Sequence, residues 1–149
     1  MSKSAAPLQV LIAEDDEDDY DIFVMAVAEI LLSIEVKHAR DGNSLISLLT
    51  RSLPDILFLD LRMQPKDGRA CLQEIRADRR YDCLPVIVLS ALDDSETIEY
   101  CFQTRANSYV VKPPSVKELR HTLETIFLTN WKNGWRFPPR SEFVLSNRI

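Results

Sequence analysis

Short apolar runs alternate five times with segments of helical periodicity along this chain, the pattern left by parallel strands joined through crossover helices. The strands are expected near 8–14, 35–39, 55–60, 85–90 and 107–111. Ile56-Leu57-Phe58-Leu59 and Val86-Ile87-Val88-Leu89 are continuous rather than alternating, which predicts two central strands covered on both faces. Tyr20, Phe23, Val24, Val27, Ile30 and Leu31 recur at helical spacing and predict one apolar helix stripe. Shorter stripes follow around Leu45, Leu72, Ile98 and Leu119, the last behind a Ser115/Glu118 capping box. The class is α/β, a doubly wound sheet of five parallel strands.

At 149 residues, with 46% apolar and 28% charged, the chain is about one soluble domain with a real core. A formal charge of −5 argues against direct nucleic-acid binding, which needs a basic face. No apolar run approaches the roughly 20 residues of a membrane helix, and the start Met-Ser-Lys-Ser-Ala-Ala-Pro lacks the apolar core of a secretory signal. No membrane contact and a cytoplasmic location are therefore expected. Cys71, Cys83 and Cys101 fit no Cys-x-x-Cys spacing and read as small buried thiols.

Seven of the eight residues from Glu14 to Asp21 are acidic, directly after the first apolar run. An open α/β sheet holds its ligands at the carboxyl ends of its strands, and three later strands bring a polar residue there: Asp60, Ser90 and Lys112. In a parallel sheet these ends share one rim. Magnesium takes oxygen ligands and keeps several waters, so carboxylates converging beside a phosphate suit it. Asp15 and Asp60 are the expected ligands, with Glu14 acting through a coordinated water. Asp18, Asp19 and Asp21 read instead as solvated acids favouring the start of a helix. An ionised Asp60 between a cation and Lys112 is a positioned nucleophile for a phosphoryl group, with Ser90 donating to the phosphoryl oxygens. Lys112 precedes Pro113-Pro114, which biases it to extended geometry.

Together these residues resemble the receiver domain of two-component response regulators. The matching elements are Glu14-Asp15 after Val10-Leu11-Ile12-Ala13, Leu59-Asp60-Leu61, Asp67-Gly68, Leu89-Ser90-Ala91 and Tyr109-Val110-Val111-Lys112-Pro113. The resemblance covers about residues 8–128 and implies a flavodoxin-like fold with strand order 2-1-3-4-5. It further implies that Asp60 accepts a phosphoryl group from a histidine kinase or phosphorelay protein. Mg²⁺ would be held by Asp15, Asp60 and the backbone carbonyl of Arg62, with Glu14 beside them. Lys112 and Ser90 would contact the phosphoryl oxygens, while Tyr109 changes rotamer as the switch. Such a domain is a phosphoacceptor in signalling rather than a classical enzyme. Three departures from the family pattern stand out. Gln64 holds the place of a usual proline, with Pro65 after it, and Arg62 and Leu92 occupy positions near the water that hydrolyses the phosphoaspartate. A long cation and an apolar side chain there would alter the lifetime of the phosphoaspartate.

The expected organisation is a flexible N-terminus over 1–7, a receiver domain over 8–130 and an aromatic extension over 131–149, with no second domain. Trp131, Trp135 and Phe137 form an aromatic group with arginine nearby, a composition enriched at interfaces. They are expected either to pack on their own domain or to dock a second copy or a kinase. Receivers with such extensions resemble those working beside phytochrome-type sensor kinases, often as homodimers. A receiver-like scaffold that signals without phosphorylation is the rival reading. A small aspartyl-phosphate phosphatase is a second, disfavoured because its general acid two residues after the nucleophile is here Arg62.

Overall fold

The five apolar runs form β1 (Leu8–Ala13), β2 (Ile34–Ala39), β3 (Ile56–Leu59), β4 (Val86–Ser90) and β5 (Ser108–Val111). They are linked by α1 (Glu17–Ala28), α2 (Gly42–Arg51), α3 (Gly68–Ala77), α4 (Ser95–Gln103) and α5 (Val116–Leu128). The structure is a computed structural model that describes residues 6–131 and 137–145. Trp135 and residues 1–5 of the expected N-terminal segment lie outside the described residues. All strand pairs are parallel, in the expected order β2-β1-β3-β4-β5. A sixth strand, absent from the five-strand expectation, extends the sheet: α6 (Arg140–Phe143) leads into β6 (Val144–Leu145), which pairs with β5. The physical reason is the edge. Without β6, β5 would present unpaired N–H and C=O groups along its outer side.

Successive residues of a strand point to opposite faces, and the central strands divide accordingly. Ile56, Phe58, Ile87 and Leu89 pack with Phe23, Leu123 and Ile126 of α1 and α5. Leu57, Leu59, Val86 and Val88 pack on the other face with Leu45, Leu72, Ile75 and Cys101 of α2, α3 and α4. Phe58 stands edge-on between Phe23 and Phe127, at 5.1 and 5.9 Å between centroids. Full burial of each such side chain contributes about 1.5–3 kcal/mol. In the expected stripe of α1, Phe23, Val27 and Ile30 are buried, but Val24 is 37% exposed and Leu31 is 99% exposed. The helix ends at Ala28, so Leu31 lies beyond the turns that set the phase. Cys71 and Cys101 are buried as expected, whereas Cys83, just after a 3₁₀ turn, is exposed.

Each crossover helix begins with a side-chain cap. Asp16, Asp41, Asp67, Asp94 and Ser115 accept from the backbone N–H three residues on, at 2.7–3.2 Å. Such caps contribute about 1 kcal/mol each, and they fix where the chain turns from strand rim into helix. Among the described residues no helix is long and apolar enough to cross a membrane.

Candidate functional site

Ladder bonds continue one residue past three strand ends and deliver Glu14, Asp60 and Lys112 to one rim, beside Ser90 at the end of β4. Glu14 N–H donates to Ala39 O at 3.0 Å, Asp60 N–H to Ala13 O at 3.0 Å, and Lys112 N–H to Ser90 O at 2.8 Å. These carriers are rigid because the strands behind them are buried on both faces. Glu14, Asp60 and Ser90 are themselves buried, while Asp15 is exposed.

Lys112 joins the acids. Its Nζ donates to Glu14 Oε1 at 2.8 Å, to Asp19 Oδ2 at 2.6 Å and to Asp60 Oδ2 at 3.4 Å. The second oxygen of Asp60 accepts from the backbone N–H of Arg62 at 3.2 Å, so the Arg62 backbone lies against the expected acceptor. Ser90 Oγ accepts from Leu92 N–H at 3.2 Å, and the Tyr109 hydroxyl, its ring fully buried, donates to Leu92 O at 2.6 Å. Arg62 and Leu92 line an open cleft of about 580 Å³ beside Asp15. Gln64, joined to Pro65 by a cis peptide, lines it too.

Two participants were not anticipated. Asp19, read as a solvated helix-start acid, is turned onto Lys112. Side chains of a helix tilt towards its N-terminus, so an acid in the first turn of α1 reaches back to the rim; its four-residue spacing from Asp15 is the only sequence signal for this. His38 is the other: its Nε2 donates to Glu14 O at 2.7 Å, with the ring stacked 3.7 Å from Tyr20. It steadies the backbone of the acidic corner.

Burial first, then a hydrogen bond shared with Asp60, pushes the Glu14 carboxyl up to about 8 against the opposing pull of Lys112. Burial alone would lower Lys112, but its hydrogen bonds to Asp19 and Glu14 outweigh that and hold it above the ordinary lysine range. One ammonium therefore faces an excess of carboxylates. One oxygen from each of Glu14, Asp15 and Asp60 lies within 4.8 Å of the others, an all-oxygen donor set of the kind a hard divalent cation takes. Glu14 gives Oε1 to Lys112 and Oε2 to Asp16 N–H at 3.3 Å, and Asp60 gives its two oxygens to Lys112 and Arg62 N–H, whereas Asp15 faces solvent beside them. The residues fit magnesium.

Trp131 and Phe137 of the aromatic tail lie away from this rim. Trp131 is half-buried, donates from Nε1 to Ile126 O at 3.1 Å and lines a cavity with Leu8, Ile56 and Pro85 at the opposite end of the strands. Phe137 packs under the guanidinium groups of Arg105 and Arg76, at 4.7 and 5.6 Å from its centroid.

A parallel sheet that gathers acids from its first and third strands and a lysine from its fifth defines a signalling domain of the receiver class. The chain belongs to the response regulator receiver domain family, whose family model matches residues 10–124. It is 28% identical over 139 residues to the probable methanogenesis regulatory protein FilR2 of Methanothrix harundinacea, covering 89% of this chain and 88% of that protein. It is 34% identical over 119 residues to the probable C4-dicarboxylate response regulator DctR of Bacillus subtilis, covering 78% of this chain but only 50% of that protein. The chain thus spans half the length of that relative. Among solved structures, the phosphorylated cyanobacterial phytochrome response regulator RcpA superposes with a TM-score of 0.75 at 29% identity, covering 81% of this chain and 91% of that one.

Proposed function

We propose that the chain is a magnesium-dependent response regulator that takes a phosphoryl group on Asp60 from a histidine kinase or phosphotransfer protein and signals through a protein contact. The observation that carries this is the Lys112 ammonium bonded to Glu14, Asp19 and Asp60 from three separate elements. That a similar protein, RcpA, is described as phosphorylated supports it. In the transfer, the N–P bond of the donor phosphohistidine breaks with its electron pair returning to the imidazole, while an O–P bond forms at an Asp60 carboxylate oxygen. Lys112 neutralises charge gathering on the transferred group, and the Arg62 N–H holds the acceptor carboxylate in place. Asp15, Asp60 and the carbonyl of Arg62 would hold Mg²⁺, which supplies further charge neutralisation when bound. Ser90 would donate to the phosphoryl oxygens, with Tyr109 following it as the switch.

On this reading residues 8–130 are the receiver and 131–149 the extension. The partner is a sensor kinase, and the similarity to RcpA favours a phytochrome-type one. A homodimer formed through Trp131, Trp135 and Phe137 is part of the same proposal, as is action in the cytoplasm. On this reading the output surface is the groove of about 690 Å³ where β6 meets α4, β5 and α5, lined by Ile98, Val111, Lys112, Thr122, Val144 and Leu145.

The test is incubation with acetyl phosphate and magnesium, read by intact mass. One phosphoryl adduct is expected on the wild type and none on Asp60→Asn; an unmodified wild type would leave the scaffold reading in its place. Arg62 and Leu92 line the cleft beside Asp15, and on this reading they flank the path of the water that hydrolyses the phosphoaspartate. Arg62→Asn and Leu92→Glu are each expected to shorten the phosphoaspartate lifetime by roughly tenfold, about 1.4 kcal/mol on the barrier. Decay of the adduct mass with time measures it, and unchanged lifetimes in both variants would remove the idea.

A further inference from the structure

The tail from Phe137 to Leu145 forms a strap across α4 and β5. Arg140 Nε donates to Glu99 Oε1 at 2.9 Å, and its guanidinium lies 5.8 Å over the Phe102 ring. Phe143 is fully buried, edge-on to Phe102 at 5.3 Å and 6.3 Å from the Tyr109 ring. Ser108 Oγ donates to Phe143 O at 2.7 Å, and Tyr109 faces Val144 across the β5–β6 pair.

Tyr109 sits between this strap and the rim. Its hydroxyl holds Leu92 O, and Leu92 N–H holds Ser90 Oγ, so the ring pins the loop that follows Ser90 at the end of β4. Tyrosine side chains occupy discrete staggered wells rather than a continuum. Turning Tyr109 out past the edge of β5 would release Leu92 and carry the ring into the space that Phe143 fills.

We infer that Phe143 is a positioning residue for the phosphorylation site: by closing the outer side of Tyr109 it keeps the tyrosine hydroxyl on Leu92 and the loop after Ser90 in its receiving arrangement. The inference rests on Asp60 being the phosphoacceptor. Coupling between two sites is the same in both directions. A phosphoryl group that draws Ser90 in therefore tightens the strap on β5, and the strap reports the state of the rim.

The experiment uses the full chain with acetyl phosphate and magnesium. Phe143→Ala is expected to slow formation of the Asp60 adduct by about tenfold, the change that roughly 1.4 kcal/mol on the barrier produces. Phe143→Leu, which refills much of the space, is expected to restore most of the rate. Leu123→Ala, a core truncation on the opposite face of the sheet, is expected to leave the rate of the folded protein unchanged. Independently, phosphorylation of the wild type is expected to slow hydrogen exchange at the amides of Val144 and Leu145. That measurement decides the matter if Phe143→Ala fails to fold. A wild-type rate in Phe143→Ala, an equal loss in Leu123→Ala, or β6 exchange indifferent to phosphorylation would overturn the inference while Asp60 still accepts the group. A wild type that takes no adduct would overturn the underlying reading, and this one with it.

Discussion

Lys112→Met is expected to slow phosphorylation of Asp60 by about 10²- to 10³-fold, the usual cost of deleting one preorganised donor from a site of developing charge. Initial rates of adduct formation with acetyl phosphate measure it. The same variant is expected to bind magnesium more tightly, because the ammonium that competes for Glu14, Asp19 and Asp60 is gone. Opposite signs for rate and metal affinity separate loss of a chemical role from simple misfolding, which would weaken both. Lys112→Arg is not expected to rescue the rate. A compact ammonium donates to three acids from one point, whereas a planar guanidinium is built to pair with one carboxylate in two parallel bonds. A Lys112→Met rate within a few-fold of wild type would place the charge neutralisation elsewhere.

The rim was legible in the sequence because its parts are backbone-determined. Residues that follow continuous apolar runs such as Ile56 to Leu59 must emerge where the strand does, and parallel strands emerge on one side. What escaped depends on side-chain reach and on contacts distant in sequence. Asp19 looks like any acid favouring a helix start until the tilt of its side chain is combined with the position of Lys112, 93 residues away. Leu31 matches the spacing of the α1 stripe, but the helix stops three residues earlier and its side chain faces solvent. The strap was missed for a related reason. Phe143, Val144 and Leu145 are too few to show a period, and their partners Phe102, Ser108 and Tyr109 offer no local cue. The expectation for the tail rested on Trp131, Trp135 and Phe137, yet it is Phe143 that is fully buried in the core.

Gly68→Ala is the substitution expected to damage the fold and the site together. Asp67 caps α3 by accepting from Ala70 N–H, and Gly68 N–H donates to Leu61 O at 2.9 Å, which draws the start of the helix against the chain leaving β3. A Cβ at Gly68 would lie 2.2 Å from the carbonyl oxygen of Asp60, 2.6 Å from Leu61 Cα and 2.9 Å from the Asp60 carbonyl carbon. All three are backbone atoms, with no side chain to swing aside. Either α3 lifts away from the sheet or the backbone of Asp60 and Leu61 moves. Overpacking of a rigid interior costs about 1–3 kcal/mol and occasionally more, and the upper end is expected because both walls are main chain. Urea unfolding of Gly68→Ala should show that loss. Where the variant remains folded, its Asp60 should also phosphorylate more slowly, since the displaced backbone is the one that carries the proposed acceptor and the Arg62 N–H holding its carboxylate. Wild-type stability together with a wild-type rate would mean that α3 approaches the acceptor less closely than this geometry requires.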